Sequence, residues 1–184
     1  MPDAGIRAKA LLVLGGARSG KSRYAQRLAE SSCLEPVLIA TAQACDAEMA
    51  ERIRRHAAAR SANWIVVEEP AAAAEALRRE ARKERIVVVD CATLWLNNML
   101  LSHQDVAAET QKLAQSVAGL PGPVIFVSNE VGAGIVPDNE LARAFRDAQG
   151  LLNQELGAAC DAVVLITAGI AVCLKPSPEP VFRF

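Results

Sequence analysis

The stretch "KALLVLGGARSGKSRYAQRLAE" constrains this chain more than any other. Residues 9–15 are mostly apolar and read as a buried strand, and from residue 20 the apolar positions recur at helical spacing. Between the two, Gly15, Gly20, Lys21 and Ser22 satisfy the pattern G-x-x-x-x-G-K-S/T. In that strand–loop–helix context the glycines let backbone N–H groups converge on phosphate oxygens, and the helix N-terminus adds its partial positive charge. Lys21 is placed to reach the β- and γ-phosphates, and Ser22 to offer a hydroxyl to Mg²⁺. A chance match in a glycine-containing turn would not bring strand and helix with it.

Such a loop needs a parallel sheet, and the rest of the chain supplies one. Short apolar runs alternate with amphipathic ones, giving strands at "KALLVLG", "PVLIAT", "WIVVEE", "RIVVVD", "PVIFVSN" and "AVVLITA", with a short final strand at "AVCLK". Helices are expected at 20–31, 46–59, 71–83, 92–102, 105–119 and 138–157, with Asp46 and Asp138 as N-caps and Gly157 after the last turn of the sixth. Continuous Val/Ile/Leu in the strands implies burial on both faces. The expected fold is therefore α/β: a RecA-like P-loop NTPase with a mostly parallel, doubly wound sheet and flanking helices. At 184 residues it forms one nucleotide-binding domain, residues 1–184, whose proline-rich tail at 176–184 is extended or partly disordered.

Composition narrows the function classes. A net charge of -1 and a pI near 6.2 leave no positive field to hold nucleic acid or an anionic membrane, so any anion needs a local site. The five cysteines, Cys33, Cys45, Cys91, Cys160 and Cys173, form no metal-spaced pair and read as free thiols in a reducing cytoplasm. No apolar run reaches 18 residues, and the first residues lack a secretory h-region, so a cytoplasmic protein without an integral membrane segment is expected.

Ligands on doubly wound sheets sit at the carboxyl ends of the strands. There "RIVVVD" places Asp90, either holding the metal through water or capping the helix that begins near Thr93. Ser128, Asn129 and Glu130 end the fifth strand, and either face a substrate or satisfy loop backbone. Arg143 and Asp147 lie four apart on a helix, as a solvated pair worth about 0.2–0.5 kcal/mol or, with Arg146, as a grip on an anion or a neighbouring subunit. Thr41, Ala42 and Gln43 end the second strand, and on the next helix Met49, Ile53, His56 and Arg60 share a face. A lone histidine there is ordinarily packed or solvated. Flanking Arg54, Arg55 and Arg60 raise an alternative, because cations favour neutral imidazole and gather phosphate, the two conditions for a histidine that attacks phosphorus. His103 reads as a loop residue.

The segments "GGARSGKSRYAQRLAE", "IATAQACDAEMAERIRRHAAAR", "VVVDCATLWLNNML" and "VSNEVGAGIVPDNELARAFRDAQGLLNQELG", in this order, resemble the bifunctional adenosylcobinamide kinase/adenosylcobinamide-phosphate guanylyltransferases of cobalamin biosynthesis. The resemblance implies phosphorylation of adenosylcobinamide by ATP or GTP. GMP then passes from GTP to adenosylcobinamide phosphate through a histidine intermediate, with Mg²⁺ as cofactor and a homotrimer as assembly. The histidine matches His56. The nucleotide contacts match Gly15, Gly16, Ala17, Arg18, Ser19, Gly20, Lys21 and Ser22; Thr41, Ala42 and Gln43; Ala57, Ala58, Ala59 and Arg60; Glu68; and Asp90. Ser22 and Asp90 would hold Mg²⁺, the latter through water. Two positions depart: some members have a second histidine where Arg55 stands, and a glutamate where Asp90 stands. A small-molecule kinase without guanylyl transfer and a nucleotide-switch regulatory protein are the rival readings.

Overall fold

A computed structural model describes residues 8–58, 60, 61 and 63–177. The chain runs β1 Ala10–Gly15, α1 Lys21–Ser31, β2 Glu35–Ala40, α2 Ala47–Ala58, β3 Ile65–Glu68, α3 Ala73–Glu80, β4 Arg85–Asp90, α4 Ala92–Leu101, α5 Val106–Gln115, β5 Val124–Asn129, α6 Glu140–Ala159, β6 Ala162–Thr167 and β7 Ile170–Lys175. The strands form one sheet in the order β3-β2-β4-β5-β1-β6-β7, parallel except for the antiparallel β6–β7 hairpin.

Alternation along the strands divides the core in two. Leu12, Ile39, Val89 and Phe126 point to one face, where they pack with Leu77, Trp95, Leu113 and Leu152 from α3 to α6. Val13, Leu38, Val88 and Ile125 point to the other, against Ala25 and Ala29 of α1. Both alanines are fully buried, so a small-residue stripe lets α1 lie close on the sheet. Burying an apolar side chain of this size contributes about 1.5–3 kcal/mol, and the central strands carry one nearly every residue.

The edges depart from expectation. β3 alternates half-buried and exposed residues, and β7, six residues long, is exposed almost throughout, including Ile170, Val172 and Leu174. The rule of burial on both faces fails there because an edge strand has a neighbour on one side only.

Helix ends shift by the same local logic. Asp46 caps α2 as expected, its Oδ1 accepting from the Met49 N–H at 2.7 Å. The cap of α6 is Asn139 rather than Asp138: Asn139 Oδ1 accepts from the Ala142 N–H at 2.7 Å. Gly157 lies inside α6, which continues to Ala159 because Lys175 from β7 closes its end. The Lys175 Nζ donates to the carbonyls of Gly157, Ala158 and Cys160 at 3.0, 3.1 and 2.6 Å. α3 and α5 end earlier than expected, at Glu80 and Gln115. The C-terminal tail, from residue 178, lies outside the described residues.

Candidate active site

The parallel register aligns the functional strand ends in one row. Ala40 of β2 pairs with Glu68 of β3 on one side and Asp90 of β4 on the other, and Asn129 of β5 pairs with Gly15 of β1. At about 4.8 Å per strand, Glu68 and Gly15 mark the ends of a row about 19 Å long.

The phosphate loop occupies the Gly15 end. Gly15 is required by space: a Cβ there would strike the Ser19 Oγ and come within 2.8 Å of the Ile166 carbonyl. Arg18 and Gly20 both take the left-handed conformation, with φ of 56° and 100°. Neighbours prop the loop from both sides, through Glu130 N–H to the Gly15 carbonyl at 3.1 Å and Gly169 N–H to the Ser19 carbonyl at 3.0 Å. Lys21 is buried, with its Nζ 3.1 Å from the Gly16 carbonyl. The Ser19 Oγ is buried without a hydrogen-bond partner among the described residues.

A cavity of about 480 Å³ opens beside the loop. Its polar lining includes Lys21, Ser22, Gln43, His56, Arg60, Glu68, Asp90 and Asn129, and its apolar wall includes Leu38, Met49, Ile53 and Leu94. Eight of the residues expected at a nucleotide site therefore meet in one place: Lys21, Ser22, Ala42, Gln43, His56, Arg60, Glu68 and Asp90. Met49, Ile53 and His56 present one face of α2 to it, as their spacing requires. Cations for phosphate, carboxylates for metal or ribose, and an apolar wall for a base are the makings of a nucleotide site.

The arginines around His56 divide sharply. Arg54 and Arg55 are both 74% exposed and both pair with Glu51, one turn back on α2. Of the three flanking cations only Arg60, the one that shares the helix face of His56 by spacing, lines the cavity, because Glu51 at i,i+3 and i,i+4 claims the other two. Arg60 stands beyond the end of α2, where its N–H donates to the Ala57 carbonyl at 3.2 Å. Partial burial pulls its guanidinium below the usual arginine range while nearby Asp90 pulls the other way.

Other expected residues stand elsewhere. Ala57 and Ala58 are exposed on α2 outside the cavity lining, and Ala59 lies outside the described residues. Thr41 is fully buried behind the cavity, where its hydroxyl donates to the Cys91 carbonyl at 2.8 Å and accepts from the Cys91 N–H at 2.9 Å. Cys91, not Asp90, caps α4, its Sγ accepting from the Leu94 N–H at 3.4 Å; burial raises that thiol to about 11. Asp90 is thereby left at the cavity. Of the fifth-strand trio only Asn129 lines the cavity; Ser128 is buried against Asn153, and Glu130 bonds the Gly132 N–H at 2.6 Å. Arg143 bonds the carbonyls of Pro137 and Asp138, and Asp147 pairs with Arg146, so the expected 143–147 pair does not form.

Sequence reasoning missed the residues that hold these loops. The Asn98 Nδ2 donates to the carbonyls of Thr41 and Pro70 at 2.9 and 3.0 Å, and the Trp95 Nε1 to Ala71 at 2.7 Å, so α4 ties down the loops after β2 and β3. A polar residue within the apolar run "TLWLNNML" was the available signal.

Comparison with known proteins identifies the family. Residues 11–174 match the family model described as cobinamide kinase / cobinamide phosphate guanyltransferase. The chain is 48% identical over 169 residues to the bifunctional adenosylcobalamin biosynthesis protein CobP of Pseudomonas aeruginosa, covering 91% of this chain and 98% of that one. It is 38% identical over 180 residues to CobU of Escherichia coli K12, covering 90% and 99% respectively. Among solved structures, a type III secretion ATPase superposes with a TM-score of 0.53 at 12% identity, over 86% of this chain and about half (51%) of its own. The RadB recombinase superposes with a TM-score of 0.52 at 15% identity, over 85% of this chain and 73% of its own. These two establish the RecA-like P-loop NTPase fold alone.

Proposed function

The chain belongs to the cobinamide kinase / cobinamide phosphate guanyltransferase family, and from that premise we propose how one cavity serves both reactions. The protein is an adenosylcobinamide kinase and adenosylcobinamide-phosphate guanylyltransferase of adenosylcobalamin biosynthesis. The observation that carries the division of labour is that the phosphate-loop residues Lys21 and Ser22 line the same cavity as His56.

In the kinase reaction an acceptor hydroxyl of adenosylcobinamide attacks the γ-phosphorus of ATP or GTP. The new P–O bond forms as the bond to the β,γ-bridging oxygen breaks, and the nucleoside diphosphate leaves with the electron pair while the hydroxyl proton passes to solvent. Lys21 and the loop N–H groups offset the charge on the departing oxygens.

In guanylyl transfer the neutral imidazole of His56 attacks the α-phosphorus of GTP. A P–N bond forms, and pyrophosphate leaves with the electron pair of the α,β-bridging bond, steadied by Lys21 and Arg60. A phosphate oxygen of adenosylcobinamide phosphate then attacks the histidine-bound GMP, and the broken P–N bond returns its electron pair to the imidazole. The product is adenosylcobinamide-GDP. A covalent intermediate divides one transfer between two anions into two easier steps.

The remaining site residues take roles by position. Gly15, Gly16, Ala17, Arg18, Ser19 and Gly20 wrap the phosphates. Ala42, Gln43 and Glu68 lie toward the nucleoside, and Thr41 supports them from behind. Ala57, Ala58 and Ala59 carry the chain from His56 to Arg60. Mg²⁺ fits here, since Ser22 and Asp90 offer hard oxygen donors on one cavity and this ion takes one or two carboxylates plus substrate phosphates. When bound it would neutralise charge on the phosphate oxygens.

The domain is read as one unit spanning residues 1–184, in a cytoplasmic homotrimer. No described helix is long and apolar enough to cross a membrane, and all five cysteines are free. Exposed Ile170, Val172 and Leu174 on β7 support association through that edge.

The reading is tested by incubating the protein with adenosylcobinamide, Mg²⁺ and GTP and following corrinoid products by mass spectrometry. Adenosylcobinamide phosphate should appear first and adenosylcobinamide-GDP second, with release of pyrophosphate. Accumulation of the phosphate with no GDP derivative would reduce the protein to a kinase, and nucleotide hydrolysis without either product would indicate a switch.

A further inference from the structure

We propose that the loop joining β5 to α6, residues 130–139, is the platform on which the corrinoid ring docks in both reactions. The proposal rests on the reading that the cavity takes the nucleotide and that adenosylcobinamide accepts the transferred groups.

Space keeps the ring out of the cavity. A volume of about 480 Å³ is what one small-molecule site takes. The nucleotide claims it, since the lining runs from Lys21 and Ser22 at the phosphate end to Glu68. A corrin ring with its amide side chains and an adenosyl group is bulkier than the nucleotide, so only the arm that ends in the acceptor hydroxyl enters. The ring then lies outside, beside the phosphate loop. The β5–α6 loop starts at that place, where the Glu130 N–H bonds the Gly15 carbonyl at 3.1 Å.

The loop holds apolar side chains out in water. Ile135 is 98% exposed, the most of any large apolar residue described, and Val136 and Leu141 are exposed as well. In a slack loop this would say little, but here the backbone is pinned on both sides of the pair. The Glu130 carboxylate accepts from the Gly132 N–H at 2.6 Å, and the Arg143 guanidinium donates to the carbonyls of Pro137 and Asp138 at 3.0 and 2.7 Å. Apolar side chains fixed outward without an inner partner mark a contact surface.

Chemistry selects the occupant. Among the described residues the backbone of residues 133–136 makes no hydrogen bond, which leaves N–H and C=O groups for a ring fringed with amides. Between residues 130 and 143 stand three carboxylates, Glu130, Asp138 and Glu140, and one cation, Arg143, which is turned to backbone carbonyls. The corrinoid centre is positive, because Co(III) outweighs the single charges of the corrin ring and the adenosyl carbon. Apolar side chains for the ring, open amides for its rim and carboxylates for its charge suit this ligand and not a nucleotide. The acceptor oxygen sits on an arm off the ring. The ring can therefore stay on the loop while the arm moves from the γ-phosphorus to the GMP on His56, and one platform serves both steps.

The test compares wild type with a double variant, Ile135→Ser with Val136→Ser, whose exposed positions leave the core untouched. The KM for adenosylcobinamide and for adenosylcobinamide phosphate should each rise about tenfold or more, with kcat at saturating corrinoid within about threefold of wild type. Labelling of the protein from α-labelled GTP needs no corrinoid and should keep its wild-type rate. Asp138→Lys, which sets a cation beside the corrinoid, should raise both KM values at low salt and less at high salt. Corrinoid KM values unchanged in either variant, or labelling that falls along with corrinoid use, would overturn the proposal. So would a changed oligomeric state of the double variant in sedimentation, which would make the loop a contact between copies. A wild type that turns over neither corrinoid would instead overturn the reading of the site.

Discussion

The hydroxyl of Thr41 satisfies both backbone groups of Cys91, donating to its carbonyl at 2.8 Å and accepting from its N–H at 2.9 Å, although fifty residues separate the two. One buried side chain thereby pins the end of β2 to the start of α4, with Asp90 between. Thr41→Val keeps the shape and removes both bonds, leaving the Cys91 N–H unpaired while its carbonyl keeps the Trp95 N–H at 3.1 Å. We expect a loss of about 1–3 kcal/mol in urea unfolding, with weaker Mg²⁺ dependence of activity as Asp90 loosens. An unchanged midpoint would show that the pair is redundant.

The division among the arginines is open to a direct comparison. Arg54 and Arg55 are exposed and engaged by Glu51, whereas Arg60 lines the cavity near Asp90. Arg60→Ala should slow transfer of GMP to the protein by about a hundredfold, the scale of removing one charge-stabilising donor. Arg54→Ala should stay within about twofold. Similar losses in both would mean that charge around His56 acts as a diffuse field.

How far the site could be read in advance follows from chain distance. The phosphate loop, Asp90 and the shared face of Met49, Ile53 and His56 depend on local spacing, and the structure brings them to one cavity. Thr41 is different, because a residue at a strand end can point to the ligand or behind it, and packing against Cys91 decides where its hydroxyl goes. Glu51's capture of Arg54 and Arg55 is local, at i,i+3 and i,i+4 spacing, and so is legible in the sequence. The links from Asn98 to Thr41 and from Asn153 to Asn129 bridge 57 and 24 residues, so no periodicity announces them. The exposed β7 is similar: its apolar composition suits a core strand, and its place at the sheet edge comes from topology.

A pH dependence follows from Glu30. Its carboxylate accepts from the Trp64 Nε1 at 3.0 Å, the Gln26 Nε2 at 3.1 Å and the Ser61 Oγ at 3.3 Å, tying α1 to the turn that follows Arg60. These bonds, that of Trp64 foremost, hold the Glu30 carboxyl below its ordinary value. A lowered acid contributes fully above the unfolded value, about 4.3, and its contribution fades as pH falls through the folded one. Trp64 emission should therefore stay constant through neutral pH and shift only in acid, while in Glu30→Ala it is shifted throughout. Trp95 is buried and bonded to Ala71, so it contributes a constant background. An emission that titrates near neutrality would assign the tether to another group.

The central claim is that His56 carries GMP covalently. The protein is incubated with α-labelled GTP and Mg²⁺ and denatured, and the label is followed through acid and alkali. The account predicts a stoichiometric adduct that is labile in acid and stable in alkali, as a phosphoramidate must be. Pyrophosphate should be released with it, and His56→Ala should give no adduct. An adduct that survives His56→Ala, or its absence in a wild type that still makes adenosylcobinamide-GDP, would contradict the account.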